Sequence, residues 1–276
     1  PVVRMSRQAR RIGASSLGER METGNPNDEL GLLADTLNGL LSRLESAFAS
    51  QRRFMAEASH ELRTPLSILQ AESDVALSRA DRDAPEYRAA LEVVQKTSRK
   101  LSQIVEDLFL VSRSDAGDYP VRTARFYVDE TIADAVRAMR TRAEARRVRI
   151  EVAPTPERLA FGDEELIHRL VLNLVDNAVK HTRPGGVVRV DLAESDGTTS
   201  IRVRDEGPGV PAGERERIFE RFYRGESGRS GTGAGLGLAI VKSIAQMHGG
   251  DARLAESSPA GSTFVADLRL TPPEAA

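Results

Sequence analysis

The chain has 276 residues, 40% of them apolar, with 39 Lys and Arg against 41 Asp and Glu and no cysteine. That length exceeds one ordinary domain and the apolar content supplies two or three cores, while the absence of cysteine excludes disulfides and thiolate metal sites and fits a reducing compartment. A formal net charge of -2 excludes a global basic field that would steer the chain to nucleic acid or acidic lipid, and no run approaches the roughly 18 consecutive apolar residues of a membrane span or shows a signal-peptide pattern.

The first fifty residues read as a basic stretch, a Gly/Asn/Pro-containing connector and a long helix. Leu30, Leu33, Leu37, Leu40 and Leu44 recur at 3,4,3,4 spacing, the seam of a coiled coil or parallel bundle that needs a helical partner. A plain amphipathic helix packed on its own domain would show the same spacing. A short helix, a connector and a heptad helix opening with "DELG" together resemble a HAMP signal-relay module, placed at residues 1–50. The resemblance implies a preceding transmembrane helix absent from this chain, which would then be the cytoplasmic portion of a bacterial inner-membrane protein.

Residues 58–69, "ASHELRTPLSIL", place Ala58, Leu62, Leu66 and Leu69 on one helical face, and His60 lies about 200° from its flanking members, toward water. Thr64 is one turn beyond His60, and Glu61 flanks it. Pro65 has no N–H and its ring crowds the Glu61 carbonyl, so the helix should kink or loosen beside the histidine. After a break at "SRADRDAPEYR", Tyr87, Leu91, Val94, Ser98, Leu101, Val105 and Leu108 hold 4,3,4,3,4,3 spacing. So narrow a stripe is poorly buried by a single hairpin, and two copies would close a four-helix bundle, a homodimer through Phe54 to Ser112.

"SHELRTPL" resembles the phosphoacceptor box of sensor histidine kinases over Phe54 to Leu69. By that resemblance His60 takes the γ-phosphoryl of ATP on a ring nitrogen, Glu61 hydrogen-bonds the other nitrogen, and Thr64 positions a water that dephosphorylates the partner protein. Imidazole is a neutral nucleophile near pH 7, and a carboxylate neighbour fixes its tautomer. Arg63 reads equally as a solvated arginine.

From about Tyr119 the pattern becomes mixed. Short strands are expected at "RFY", "VRIEVA", "RLAFGD", "GVVRVDLAE", "TTSIRVRDEG" and "STFVADLRL". Helices follow "RFY", follow Asp163, and run through "AGLGLAIVKSIAQMHGG" to a glycine stop. This predicts an α/β sandwich with helices on one face of a mixed sheet, after an all-α coiled-coil and hairpin region. "TPPEAA" reads as a disordered tail.

Three stretches in this part carry chemistry. In "NLVDNAVKHT", Asn173 and Asn177 are four apart, with Lys180 and His181 one turn on; neutral amide oxygens suit Mg²⁺ that already bears phosphate, though an inter-helix hydrogen bond fits the pair as well. In "RDEGPGV", Asp205 with Gly207 and Gly209 leaves room for a flat ring, and a carboxylate there can accept from the adenine amino group; an ordinary Asp/Gly turn is the plainer alternative. In "GTGAGLGLAIVK", Gly231, Gly233, Gly235 and Gly237 precede an apolar helix, as an anion site or a hinge would require. Between the last two, "ERIFERFYRGESGRSGTG" has the composition of a lid.

The order and spacing of these stretches through Phe126 to Leu270 resemble the Bergerat-type ATP-binding domain of histidine kinases, type II topoisomerases, a mismatch-repair ATPase and a heat-shock chaperone. The resemblance implies that Asn177 ligates Mg²⁺, Asn173 assists at metal and phosphates, Lys180 contacts phosphate and Asp205 recognises adenine. Gly207, Gly209, Gly233, Gly235, Gly237 and Leu238 shape the pocket and lid, Phe219 and Phe222 mark the lid, and His181 stands where tyrosine is commoner. His168 and His248 read as structural.

Three modules are therefore expected: the relay module at 1–50, a dimerisation and phosphotransfer hairpin at 51–117, and a catalytic ATP-binding domain at 118–272, before a tail at 273–276. The function implied is ATP-dependent histidine autophosphorylation with transfer to an aspartate of a response regulator, together with phosphatase activity. A catalytically silent ATP-binding scaffold, or an ATP-driven conformational switch of the same superfamily, is the alternative.

Overall fold

The computed structural model describes residues 18–21, 29–78, 83–154, 157–225 and 234–270. The expected first relay helix, Gly231, Gly233 and the tail lie outside them. The chain divides into two units, 1–64 and 65–276.

In the first unit, α1 (Glu29–Leu77) begins at the predicted heptad segment. Asn38 holds the connector: its side-chain amide donates to the Met21 carbonyl at 3.1 Å, and its oxygen accepts the Met21 N–H at 2.8 Å. Met21 and Ala34 are buried together, with Leu30 and Leu37 against them. The remaining predicted seam residues Leu33, Leu40 and Leu44 stay exposed, so the stripe divides between a local contact and an open face. Pro65 lies inside α1, which remains one helix through it.

In the second unit, α2 (Ala84–Ala116) starts where Asp83 accepts the Glu86 N–H at 2.9 Å, and stops at Gly117, whose φ of 70° suits a glycine cap. The burial along α2 differs from the predicted stripe. Leu91 and Val105 are exposed, whereas Ile104, Leu110 and Val111 are buried. The cause is tertiary: the end of α2 packs on the following domain, and Leu110 and Val111 join its core.

That domain runs β1 (Ala124–Tyr127), α3 (Val128–Ala145), β2 (Arg149–Val152), β3 (Leu159–Gly162), α4 (Glu164–His181), β4 (Val187–Ser195), β5 (Thr198–Arg204), α5 (Gly237–Met247), β6 (Asp251–Ser258) and β7 (Gly261–Leu268). The main sheet has the order β2-β4-β5-β7-β6, parallel only between β2 and β4, while β1 and β3 pair antiparallel as a separate ribbon. In β5 Thr199, Ile201 and Val203 are buried and Arg202 and Arg204 exposed. This period-2 alternation marks a sheet covered on one face by α3, α4 and α5. Two features were not anticipated: β6, whose "DARLAESS" has little apolar content, and the separation of β1 and β3 into their own ribbon.

Two buried polar residues, Asp163 and His248, are matched. Asp163 caps α4 by accepting the Leu166 N–H at 3.3 Å and also accepts the Arg122 N–H at 2.9 Å. The Asp163 N–H donates to Nε2 of buried His248 at 3.2 Å, while His248 Nδ1 lies 2.8 Å from the Ile244 carbonyl. His248 is thus a structural residue with one donor and one acceptor nitrogen, and burial holds its pKa below the usual value.

Truncating Leu110 to alanine should destabilise the domain by about 2–5 kcal/mol in urea unfolding, as for a residue of its core. A loss near zero would show that α2 is not part of that core.

Candidate nucleotide-binding site

α4 separates core from site. Leu166, Ile167, Leu170, Val171, Leu174, Val175, Ala178 and Val179 are buried. Asn173, Asp176, Asn177 and Lys180, on the remaining arc, line a cavity of about 770 Å³. Asp205, Gly209, Gly235, Gly237, Leu238 and His181 line the same cavity. Residues far apart in sequence therefore meet at one place.

Asp205 is buried at the end of β5. Its Oδ1 accepts the N–H groups of Gly207 at 2.8 Å and Ser262 at 3.3 Å. Neither bond uses Oδ2, which remains for a donor in the cavity. Burial raises the Asp205 pKa, and the two backbone donors partly offset that. At Gly207 a Cβ would stand 2.7 Å from Asp205 Oδ1 and 2.8 Å from the His181 carbonyl, so the turn admits no side chain.

At the opposite wall, the Asn173 side-chain amide donates to the Arg169 carbonyl at 2.8 Å. Arg142 approaches Asp176 to 2.6 Å, as an ion pair whose geometry is not that of a hydrogen bond. Burial raises the Asp176 pKa against the pull of Arg142 and Lys180. Burial, then Arg224, lowers that of Lys180; burial, then Lys180 and Arg146, lowers that of His181 and favours its neutral form. Burial disfavours charge of either sign, while the further shifts from Arg224, Lys180 and Arg146 mark a local excess of cations that an added anion would offset.

The two lid phenylalanines do not line the cavity. Phe219 packs edge-on against Phe264, with ring centroids 6.4 Å apart, and Phe222 lies against the same core. Ile218 and Tyr223 face the cavity instead. Phe222 has a φ of 58°, and a Cβ on Gly235, itself at φ 70°, would come within 2.7 Å of the Phe222 carbonyl carbon. The lid base is thus a close backbone crossing.

Sequence reading missed one wall altogether, since Lys96, Lys100, Gln103, Ile104 and Asp107 of α2 also line the cavity. Their i,i+4 spacing was the available signal, hidden by the stronger apolar heptads. His60, Glu61 and Thr64 belong to the first unit. His60 is exposed, Glu61 half-buried, and Thr64 Oγ1 donates to the His60 carbonyl at 3.4 Å.

Gly235→Ala should lower the thermal midpoint by several degrees, corresponding to about 1–3 kcal/mol of strain. An unchanged midpoint would mean that the crossing is not tight.

Comparison with known proteins finds three family segments along the chain. Residues 162–272 match the histidine kinase-, DNA gyrase B-, and HSP90-like ATPase family, residues 50–117 the His Kinase A (phospho-acceptor) domain, and residues 1–46 the HAMP domain. The chain is 39% identical over 255 residues to the sensor protein CutS of Streptomyces coelicolor, covering 91% of this chain and 60% of that protein. It is 33% identical over 272 residues to the signal transduction histidine-protein kinase BaeS of Escherichia coli, covering 98% and 57%. The chain thus spans somewhat more than half the length of these curated relatives. Among solved structures, full-length ShkA in complex with AMPPNP superposes with a TM-score of 0.61 at 26% identity, covering 81% of this chain and 47% of that one. The Acinetobacter baumannii histidine kinase AdeS, at 22% identity and a TM-score of 0.61, covers 77% and 98% and shares the fold. With a HAMP segment, a phosphoacceptor segment and an ATPase segment in this order, the chain belongs to the sensor histidine kinases of two-component systems.

Proposed function

We propose that the chain binds ATP in the cavity of its ATPase domain and transfers the γ-phosphoryl to His60, which passes it to an aspartate of a response regulator. The observation that carries this reading is the meeting of Asn173, Asn177, Lys180 and Asp205 around one cavity, in a chain that also presents an exposed histidine beside a glutamate.

Asp205 Oδ2 accepts from the adenine amino group, a donor that guanine lacks at that position. Lys180 contacts phosphate as a point charge. Asn177, with Asn173 beside it, would hold Mg²⁺ through its neutral amide oxygen, and such an ion supplies neutralisation of charge on the phosphates. The amide donors and acceptors on this arc, with no carboxylate other than the Arg142-paired Asp176, suit an ion whose charge is already balanced by phosphate.

At His60 the lone pair of one ring nitrogen forms the N–P bond as the bond from the γ-phosphorus to its bridging oxygen breaks, and ADP leaves. Glu61 accepts the hydrogen bond of the other ring N–H and stabilises the positive charge that develops. The phosphoramidate N–P bond then breaks as the regulator's aspartate takes the phosphoryl group and the imidazole is released, and Thr64 positions a water that separately hydrolyses the regulator's aspartyl phosphate. The exposed apolar residues Leu91, Val105 and Phe109 on α2 support a two-chain helical bundle as the working state. No helix among the described residues is long and apolar enough to cross a membrane. Membrane attachment is proposed through a segment outside this chain.

With γ-labelled ATP and Mg²⁺, the chain should acquire an acid-labile, alkali-stable label that is lost in His60→Gln. Nucleotide binding without that label would favour the silent scaffold or ATP-driven switch. Because burial raises the Asp205 pKa, and only its carboxylate accepts from adenine, ATP affinity should be full above that raised value. It should fall as pH drops through it, earlier than for an ordinary carboxylate. Asp205→Asn should weaken binding about tenfold or more and abolish this acid limb in calorimetric titrations.

A further inference from the structure

α2 turns a stripe of residues to the nucleotide cavity: Lys96, Lys100, Gln103 and Asp107, spaced 4, 3 and 4 apart and so on one helical face. Lysine occurs only at 96, 100, 180 and 242, against abundant arginine, and three of those four line this cavity. Lys96 and Lys100 have no ion-pair partner among the described residues. Of the acids that line the cavity, Asp107 of their own stripe is taken by Arg169 and Asp176 by Arg142, Asp205 is held by the N–H groups of Gly207 and Ser262, and Glu214 lies at the lid base.

Two ammonium groups at i,i+4 repel each other on the helix, and here they face a space that Lys180 also enters. A multivalent anion would relieve that repulsion. The placement of the stripe is secured independently of any ligand, because α2 is tied to the ATPase domain by the Asp107–Arg169 and Asp115–Arg221 pairs and by Leu110 and Val111 in the core. On the ATP reading Asp205 lies at the adenine end and Lys180 at the phosphate end, so cations added by a different wall belong with the phosphates.

We infer that Lys96 and Lys100 bind the terminal phosphates of the nucleoside triphosphate, so that the second helix of the phosphotransfer hairpin forms part of the nucleotide site. This inference rests on the ATP reading above. Lysine suits such a contact because a compact charge on a flexible stem can follow a phosphoryl group that has to leave, where a bidentate arginine would hold it. The contact concerns the outermost phosphate, so it discriminates triphosphate from diphosphate and favours release of ADP after transfer.

The test is isothermal titration of the full chain with a non-hydrolysable ATP analogue and with ADP, for the parent, Lys96→Gln/Lys100→Gln and Lys96→Arg/Lys100→Arg. The glutamine variant should lose about tenfold or more in affinity for the analogue and under about threefold for ADP, and the arginine variant should restore most of the loss. Unchanged binding of both nucleotides would overturn the inference, as would an equal loss for both. A parent that binds neither nucleotide would remove the ATP reading, and this inference with it. Both lysines are exposed, so thermal midpoints should stay unchanged and serve as the folding check.

Discussion

The division of α4 into two arcs is the constraint on which the rest of this structure depends. Eight apolar residues from Leu166 to Val179 are buried, which places the helix between the sheet and its neighbours and leaves one arc uncovered. Asn173, Asp176, Asn177 and Lys180 occupy that arc. A rotation of the helix by one residue, about 100°, would carry Lys180 to the buried direction now held by Val179 and turn Ala178 to the cavity in place of Asn177. The core therefore sets the direction of the polar groups, and their precision comes from apolar packing behind them.

The sheet supplies the second half of the site by a similar argument. Its single buried face requires the helices to lie on one side, so the ends of β5 and α5 open beside α4. Asp205 ends β5 and is fixed by Gly207 and Ser262. Gly237 begins α5, where a Cβ would meet Asn173 Oδ1 at 3.0 Å. Small residues at these junctions let backbone and side chains approach to distances that larger residues would prevent.

Helix α2 serves two environments along its length. Its first turns carry exposed apolar residues such as Leu91, and its end carries Leu110 and Val111 into the ATPase core. Because Asp107 and Arg169 are both largely shielded, at 16% and 21% side-chain exposure, losing one partner would strand the other's charge in a poor environment. The apolar contact supplies the affinity between helix and domain, and the ion pair supplies the register.

Periodicity and turn chemistry by themselves determined most of the elements: the helix start at Asp163, the break before α2, the glycine stop of α5, the leucine heptads, and the α/β character of the second half. Motif order by itself brought out the residues around the cavity, because Asn173, Asn177 and Asp205 are separated by spacings that a resemblance can carry. Only the tertiary structure decided which stripe of α2 is buried, since Val105 and Ile104 are equally apolar and the packing partner, α5, lies more than 120 residues further along the chain. It also decided that Phe219 and Phe222 face the core and Ile218 and Tyr223 the cavity, because short turn-rich stretches have no period from which to read a direction. Strand β6 escaped sequence reading for the same reason: its pairing with β7 rests on backbone hydrogen bonds, which any residue but proline can make and no side-chain pattern announces.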